Sequence, residues 1–149
     1  MSTKLTSGYY KDLTEEDKKT YEKKLTLSNG VLLCDPYDIA DHDLSQDETE
    51  LPDISFPDVS FYLVETPSEF TRDKIRAYKS LEAYNFFLNG HVQDVFIHKN
   101  LAKNHDFVFI KSLVLPSQRQ GQTETLYNTW VAVHKSGWIL SGNCTCMSG

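Results

Sequence analysis

Four short runs rich in β-branched and aromatic residues fill the C-terminal third of the chain, each closed by polar or turn-forming residues. They are Val92–His98, Phe107–Leu115 with Pro116 behind it, Trp130–His134 and Trp138–Cys144. Runs of this length and composition read as strands, and the short connections between them favour antiparallel neighbours over parallel ones. Asn100 to Asp106 is a polar turn that makes the first two runs a hairpin. Ser117 to Asn128 is a longer polar loop, and Lys135-Ser136-Gly137 is a tight turn. A meandering antiparallel sheet is therefore the expected framework.

Helical patterning precedes the sheet. Residues 71–89 place Ile75, Tyr78, Leu81, Tyr84 and Leu88 on one face, with Thr71 as N-cap and Gly90 at the C′ position. An amphipathic helix packed on a sheet follows from that spacing. A second, shorter helix starts at Thr14-Glu15-Glu16-Asp17, where a capping threonine and first-turn acids suit the helix dipole, and lysines at positions 18, 19, 23 and 24 suit its other end. Ser28-Asn29-Gly30 stops it. Its apolar face is thin, essentially Leu13, Tyr21, Leu25 and Leu27, so its stability requires docking on something.

Charge divides the chain more sharply than its net of −6 suggests. Residues 1–34 hold six basic against five acidic residues, residues 35–69 eleven acidic and no basic ones, and residues 70–149 nine basic against five acidic. The middle segment is interrupted by Pro36, Pro52, Pro57 and Pro67 and reads as an irregular acidic linker or a chain wrapped over the surface. A solvating spacer is its simplest role, and shielding of a basic face is the alternative. The expected organisation is an α+β fold with an N-terminal helical arm (1–34), an acidic linker (35–69) and an α+β domain (70–149). One ordinary core is all that 149 residues can bury alongside such an arm.

Chemistry is sparse. A nucleophile with its base, a carboxylate pair in a pocket context and a phosphate-cradling glycine loop are all missing, and the carboxylates of Asp41, Asp43, Asp47, Glu48 and Glu50 lack calcium-loop spacing. The sequence thus predicts a non-catalytic chain with no small-molecule substrate. With neither a membrane-length apolar run nor a secretory leader, and with only three cysteines, the expected location is intracellular, nuclear or cytoplasmic. Cys34 is isolated and reads as a small buried hydrophobe.

The C-terminal Cys144-Thr145-Cys146 is different. Two thiols one residue apart at a strand end can reach one tetrahedral ion, but a closed zinc site needs four ligands. His134 lies across the expected hairpin from the cysteines, His91, His98 and His105 sit nearer the other strands, and none of the four has ligand spacing. From Trp130-Val131-Ala132-Val133 through Gly142 to Gly149, the sequence resembles the first half of a SWIM-type zinc finger, whose pattern is Cys-x-Cys, a spacer, then Cys-x-His on a helix. Upstream, Asp35-Pro36-Tyr37, Tyr78 to Tyr84 and Pro116-Ser117-Gln118-Arg119 resemble the region preceding this finger in long eukaryotic proteins that end in a YqaJ-type recombinase domain. The resemblance implies that Cys144 and Cys146 are zinc ligands. The Cys-x-His half is missing, so zinc is expected only where ligands beyond Gly149 complete the site, with this chain an N-terminal piece of something longer. The nuclease domain is missing too, and its activity does not carry over.

Nucleic acid and protein are the two candidate partners. Arg72, Arg76 and Lys79 fall on one line of the predicted helix, and Gln118 with Arg119 sits in a loop that can reach a phosphate or a base edge. A recognition module that targets a larger DNA-processing protein to nucleic acid is the first expectation. The alternative is a protein-interaction domain that binds a peptide or a partner subunit through its aromatic-rich elements.

Overall fold

The computed structural model describes residues 5–54, 92–114 and 126–145. The helix expected over 71–89 lies outside them. A four-stranded antiparallel sheet forms from β1 (Val92–Lys99), β2 (Phe107–Val114), β3 (Tyr127–His134) and β4 (Ile139–Cys144), in the order β1-β2-β3-β4. The chain is therefore α+β with a meander, as its strand pattern predicts. Observed bounds shift by a residue or two, except that β3 begins three residues ahead of Trp130. Asn128 and Thr129 find cross-strand partners in Leu113 and Ser112, so the extended conformation starts inside what reads as a polar loop.

Alternation along the strands gives the sheet two faces. Phe107, Phe109 and Lys111 of β2 share a face with Trp130 and Ala132 of β3 and with Ser141 and Asn143 of β4. On that face the N-terminal residues are packed. Helix α1 (Gly8–Lys11) is a single turn capped by Ser7, whose hydroxyl accepts from the Tyr10 amide at 3.2 Å. Helix α2 (Glu15–Leu25) is capped by Thr14, which accepts from the Asp17 amide at 3.1 Å. It ends earlier than the Ser-Asn-Gly stop, because Thr26 turns extended and bridges to Leu32 around Gly30 at φ 87°. Leu5, Tyr21, Leu25 and Leu33 then share one core with Phe107, Phe109, Trp130 and Ala132. The thin apolar face of α2 suffices because Tyr21 and Leu25 are its two fully used contacts, with Leu13 and Leu27 only half-buried.

Residues 35–54 run as short 3₁₀ turns at Pro36–Asp38, Asp41–Asp43 and Glu48–Glu50. They touch the sheet at its β1 edge, where Ser45 and Ile97 exchange backbone hydrogen bonds of 2.8 and 2.7 Å. Such a bridge blunts an otherwise open strand edge.

The β1–β2 turn is built on Asn104, which is 0% exposed. Its side-chain amide bonds the Nδ1 of His98 at 3.0 Å, and its carbonyl accepts from the Cys34 thiol at 3.5 Å. Because the Asn104 NH₂ donates, Nδ1 of neutral His98 accepts and Nε2 carries the proton. His98 is itself buried, and burial, then Lys103 and Lys111, hold its imidazole below the ordinary range against an opposing pull from Asp43. The unfolded chain therefore binds this proton at higher pH than the folded one. Stability present above about pH 6.5 is lost as the pH falls below it. Urea denaturation at pH 7.5 and pH 5.5 should show this loss, and His98→Gln, which keeps an acceptor for Asn104, should reduce the difference between the two pH values.

Candidate functional site

Asp35 is the polar centre of the fold. It is 3% exposed and gathers donors from three separate stretches of chain: the Ser7 hydroxyl, the Tyr21 phenol at 2.7 Å and the backbone amide of Tyr37 at 3.0 Å. The last of these makes Asp35 the cap of the 3₁₀ turn that Pro36 opens, a position where proline has no amide to lose. Tyr21 in turn accepts from the Trp130 indole at 3.2 Å, which carries the network from α2 to the middle of β3. A neighbouring branch runs from Tyr37, whose phenol donates to the Asn128 carbonyl at 2.8 Å and accepts from Asn143 at 3.2 Å. Asn143 accepts from Lys24 at 2.7 Å, and Ser141 donates to the Lys24 carbonyl at 2.6 Å, so the end of α2 is tied to β4 twice.

Aromatic rings seal this network from water. Tyr9 lies 5.3 Å from Tyr21 and 4.8 Å from Tyr37, and Trp130 meets both Tyr21 and Phe109 edge to face at 6.1 Å. Burial, then the hydrogen bond to Asp35, push the Tyr21 phenol far above its usual range, and burial does the same to Tyr37 despite the Asn143 contact. Both phenols stay protonated near neutrality, so the cluster holds together as a strut of neutral hydroxyls around one buried carboxyl group. Lys111, 9% exposed, sets its ammonium 6.0 Å from the Tyr37 ring centroid, and burial holds it below the ordinary lysine range while Asp41 and Asp35 pull the other way.

Of the candidate zinc ligands and nucleic-acid contacts that the sequence singles out, Cys144 alone is among the described residues. It is half-buried at the end of β4 and stands opposite Thr129. The strand is pinned just past it, since the Thr145 amide donates to the Asn128 carbonyl at 3.1 Å and the Asn128 amide to the Thr145 hydroxyl at 3.0 Å. His134 stands at the other end of the β3–β4 hairpin, five residues along β3 from Thr129 and so roughly 17 Å away. Among the described residues no three of His, Cys, Asp and Glu converge as metal ligands. Cys144 and the described side chains therefore do not close a zinc site by themselves. Cys146, Arg72, Arg76, Lys79 and Arg119 lie outside the described residues.

The turn end of the sheet holds a second cluster that strand patterning did not mark. His134 and Trp138 stack at 4.9 Å and 17°, and Phe107 meets both rings edge-on at 5.2 Å. Comparison with family models, with curated proteins and with solved structures gives no match for this chain. No helix among the described residues is long and apolar enough to cross a membrane.

The Asp35 strut should dominate stability. Asp35→Ala leaves two hydroxyls and an amide without their buried acceptor, at about 1–3 kcal/mol for each group. Urea denaturation should show a loss of about 3 kcal/mol or more, whereas Lys19→Ala on the exposed side of α2 should stay within about 0.5 kcal/mol.

Proposed function

We propose that the chain is a non-catalytic recognition module that targets a larger DNA-processing protein, of the SWIM and YqaJ-like kind it resembles, to nucleic acid. The observation that supports this reading is the delivery of Cys144 at the open end of a pinned β3–β4 hairpin. In an extended segment residues two apart share a side, so a Cys-x-Cys at such an end can offer two thiolates to one ion. Zinc in this reading is held by Cys144 and Cys146 only where ligands beyond Gly149 complete the site. Such an ion supplies structural closure.

In the same reading the amphipathic helix of residues 71–89 packs on the sheet face opposite α2. Ile97, Val108 and Val133 belong to that face, are fully buried, and stand outside the core cluster that α2 covers. The helix would turn Ile75, Tyr78, Leu81, Tyr84 and Leu88 toward them and leave Arg72, Arg76 and Lys79 outward for phosphates, with Arg119 joining from its loop.

A second reading, a protein-interaction domain, is favoured by Val95, Leu113 and Leu126, large apolar side chains that stay exposed. The two readings separate on salt dependence. Fluorescence anisotropy of labelled DNA with the 149-residue chain, between 50 and 200 mM salt, should give a negative log–log slope. Arg72→Glu with Arg76→Glu should weaken binding at low salt and reduce the slope by about 2. Unchanged affinity and slope in that variant would overturn the nucleic-acid reading. Partners that survive nuclease treatment of an extract would support the protein reading.

A further inference from the structure

Three side chains at the β1–β2 turn form a relay that neither the Asp35 strut nor the proposed finger uses. Cys34 comes immediately before Asp35, and its half-buried thiol is set against the sheet where the Asp35 hydrogen bonds fix the backbone beside it. The thiol donates to Oδ1 of Asn104 at 3.5 Å, and the Asn104 NH₂ donates to Nδ1 of His98 at 3.0 Å. His98 stands opposite Phe109, on the sheet face that α2 covers. Asn104 is 0% exposed and His98 6%, so these two buried groups depend on each other for their bond.

A side-chain amide is a polarised bridge. Its oxygen only accepts and its nitrogen only donates, so the group facing the oxygen must carry a proton and the group facing the nitrogen must offer a lone pair. In the observed state the sulphur carries the proton and Nδ1 is bare. Burial keeps the thiol protonated, pushing it up from its ordinary range against the pull of Lys103, with Asp35 and Asp38 adding to the rise. Once the sulphur has no proton to give, the amide oxygen faces a lone pair and the contact turns repulsive. Turning the amide over relieves this: the nitrogen then donates to the sulphur, the oxygen faces Nδ1, and Nδ1 must hold the proton that Nε2 held before. The amide oxygen and nitrogen are close in size, so the turn needs no extra room. Among the described residues the Asn104 side chain has no third hydrogen-bond partner to lose.

We infer that Cys34, Asn104 and His98 form a thiol-state switch, in which loss of the Cys34 proton turns the Asn104 amide over and moves the His98 proton from Nε2 to Nδ1. It stands apart from the nucleic-acid reading. A small disulfide, RS–SR, is the class of reagent that throws it: the Cys34 thiolate attacks one sulphur, a new S–S bond forms as the old one breaks, and RS⁻ leaves and takes up the proton that the thiol gave up. The capped sulphur can only accept. The tautomer of a buried ring on β1 then follows the redox state of a cysteine in the N-terminal segment, and a thiol that reduces the cap reverses it. The charged groups around the relay, Lys103, Lys111 and Asp43 at His98 and Lys103, Asp35 and Asp38 at Cys34, take no part in the transfer.

The test reads the His98 tautomer by long-range proton–nitrogen NMR in the isotope-labelled 149-residue chain at pH 7.5, before and after methyl methanethiosulfonate, which leaves Cys34 as a methyl disulfide and releases methanesulfinate. The protonated nitrogen of His98 should change from Nε2 to Nδ1, and dithiothreitol should restore Nε2. In Cys34→Ser, whose hydroxyl still donates and does not react, the reagent caps the other cysteines and His98 should stay protonated at Nε2. A second measurement needs no cap and covers the case in which the methyl group disrupts the turn or fails to reach the sulphur. Raising the pH until the Cys34 Cβ signal reports ionisation should produce the same change of tautomer in the unmodified chain and none in Cys34→Ser. If His98 keeps its proton on Nε2 once Cys34 is capped or ionised, or changes tautomer equally in Cys34→Ser, the switch is overturned.

Discussion

One buried carboxyl group determines how the N-terminal segment meets the sheet. Asp35 accepts from Ser7, Tyr21 and Tyr37, and through Tyr21 it reaches the indole of Trp130. A polar group at 3% exposure is tolerated only when its partners are in place, so residues 5–37 must adopt their observed path for the core to be satisfied. Apolar packing alone would let the short helix α2 slide, since Tyr21 and Leu25 are its only fully buried residues. Directional hydrogen bonds to Asp35, together with the two ties between Lys24 and β4, remove that freedom.

The consequence is that the N-terminal arm and the sheet share one core. Leu5, Tyr21, Leu25 and Leu33 are buried with Phe107, Phe109, Trp130 and Ala132. The open end of the β3–β4 hairpin with Cys144 and the turn end with Trp138 lie at opposite ends of that sheet. The packed middle of the sheet therefore holds Cys144 and the His134–Trp138 stack apart.

Local features were legible in the sequence. The Thr14 cap, the strands from Val92, Phe107 and Trp138 onward, and the tight turn at Gly137 depend on residues within a few positions of each other. The role of Asp35 was not, because two of its three donors lie 28 and 14 residues away and the residue opens a run of eleven acids that reads as solvated. The Asp-Pro pair was the available signal, as a cap with proline at the first turn position. Nor could the two tryptophans be told apart: each begins or adjoins an apolar run, yet one lies under α2 and the other at the turn end of the sheet. Phe107 and His134, on which Trp138 packs, share the face of Trp130, so exposure is decided by position along the strands relative to α2, and nothing in the spacing of the runs states that. For the proposed site, Cys144 lies where the hairpin pattern puts it, at the end of β4.

Native-state hydrogen exchange tests the shared core most directly. If Asp35 joins the N-terminal segment to the sheet, the amides of Tyr21 and Leu25 in α2 and of Phe109 and Ala132 in the sheet exchange with one common opening free energy, and Asp35→Asn lowers all four together. Exchange of the α2 amides through a separate, lower-energy opening that Asp35→Asn leaves unchanged would contradict it.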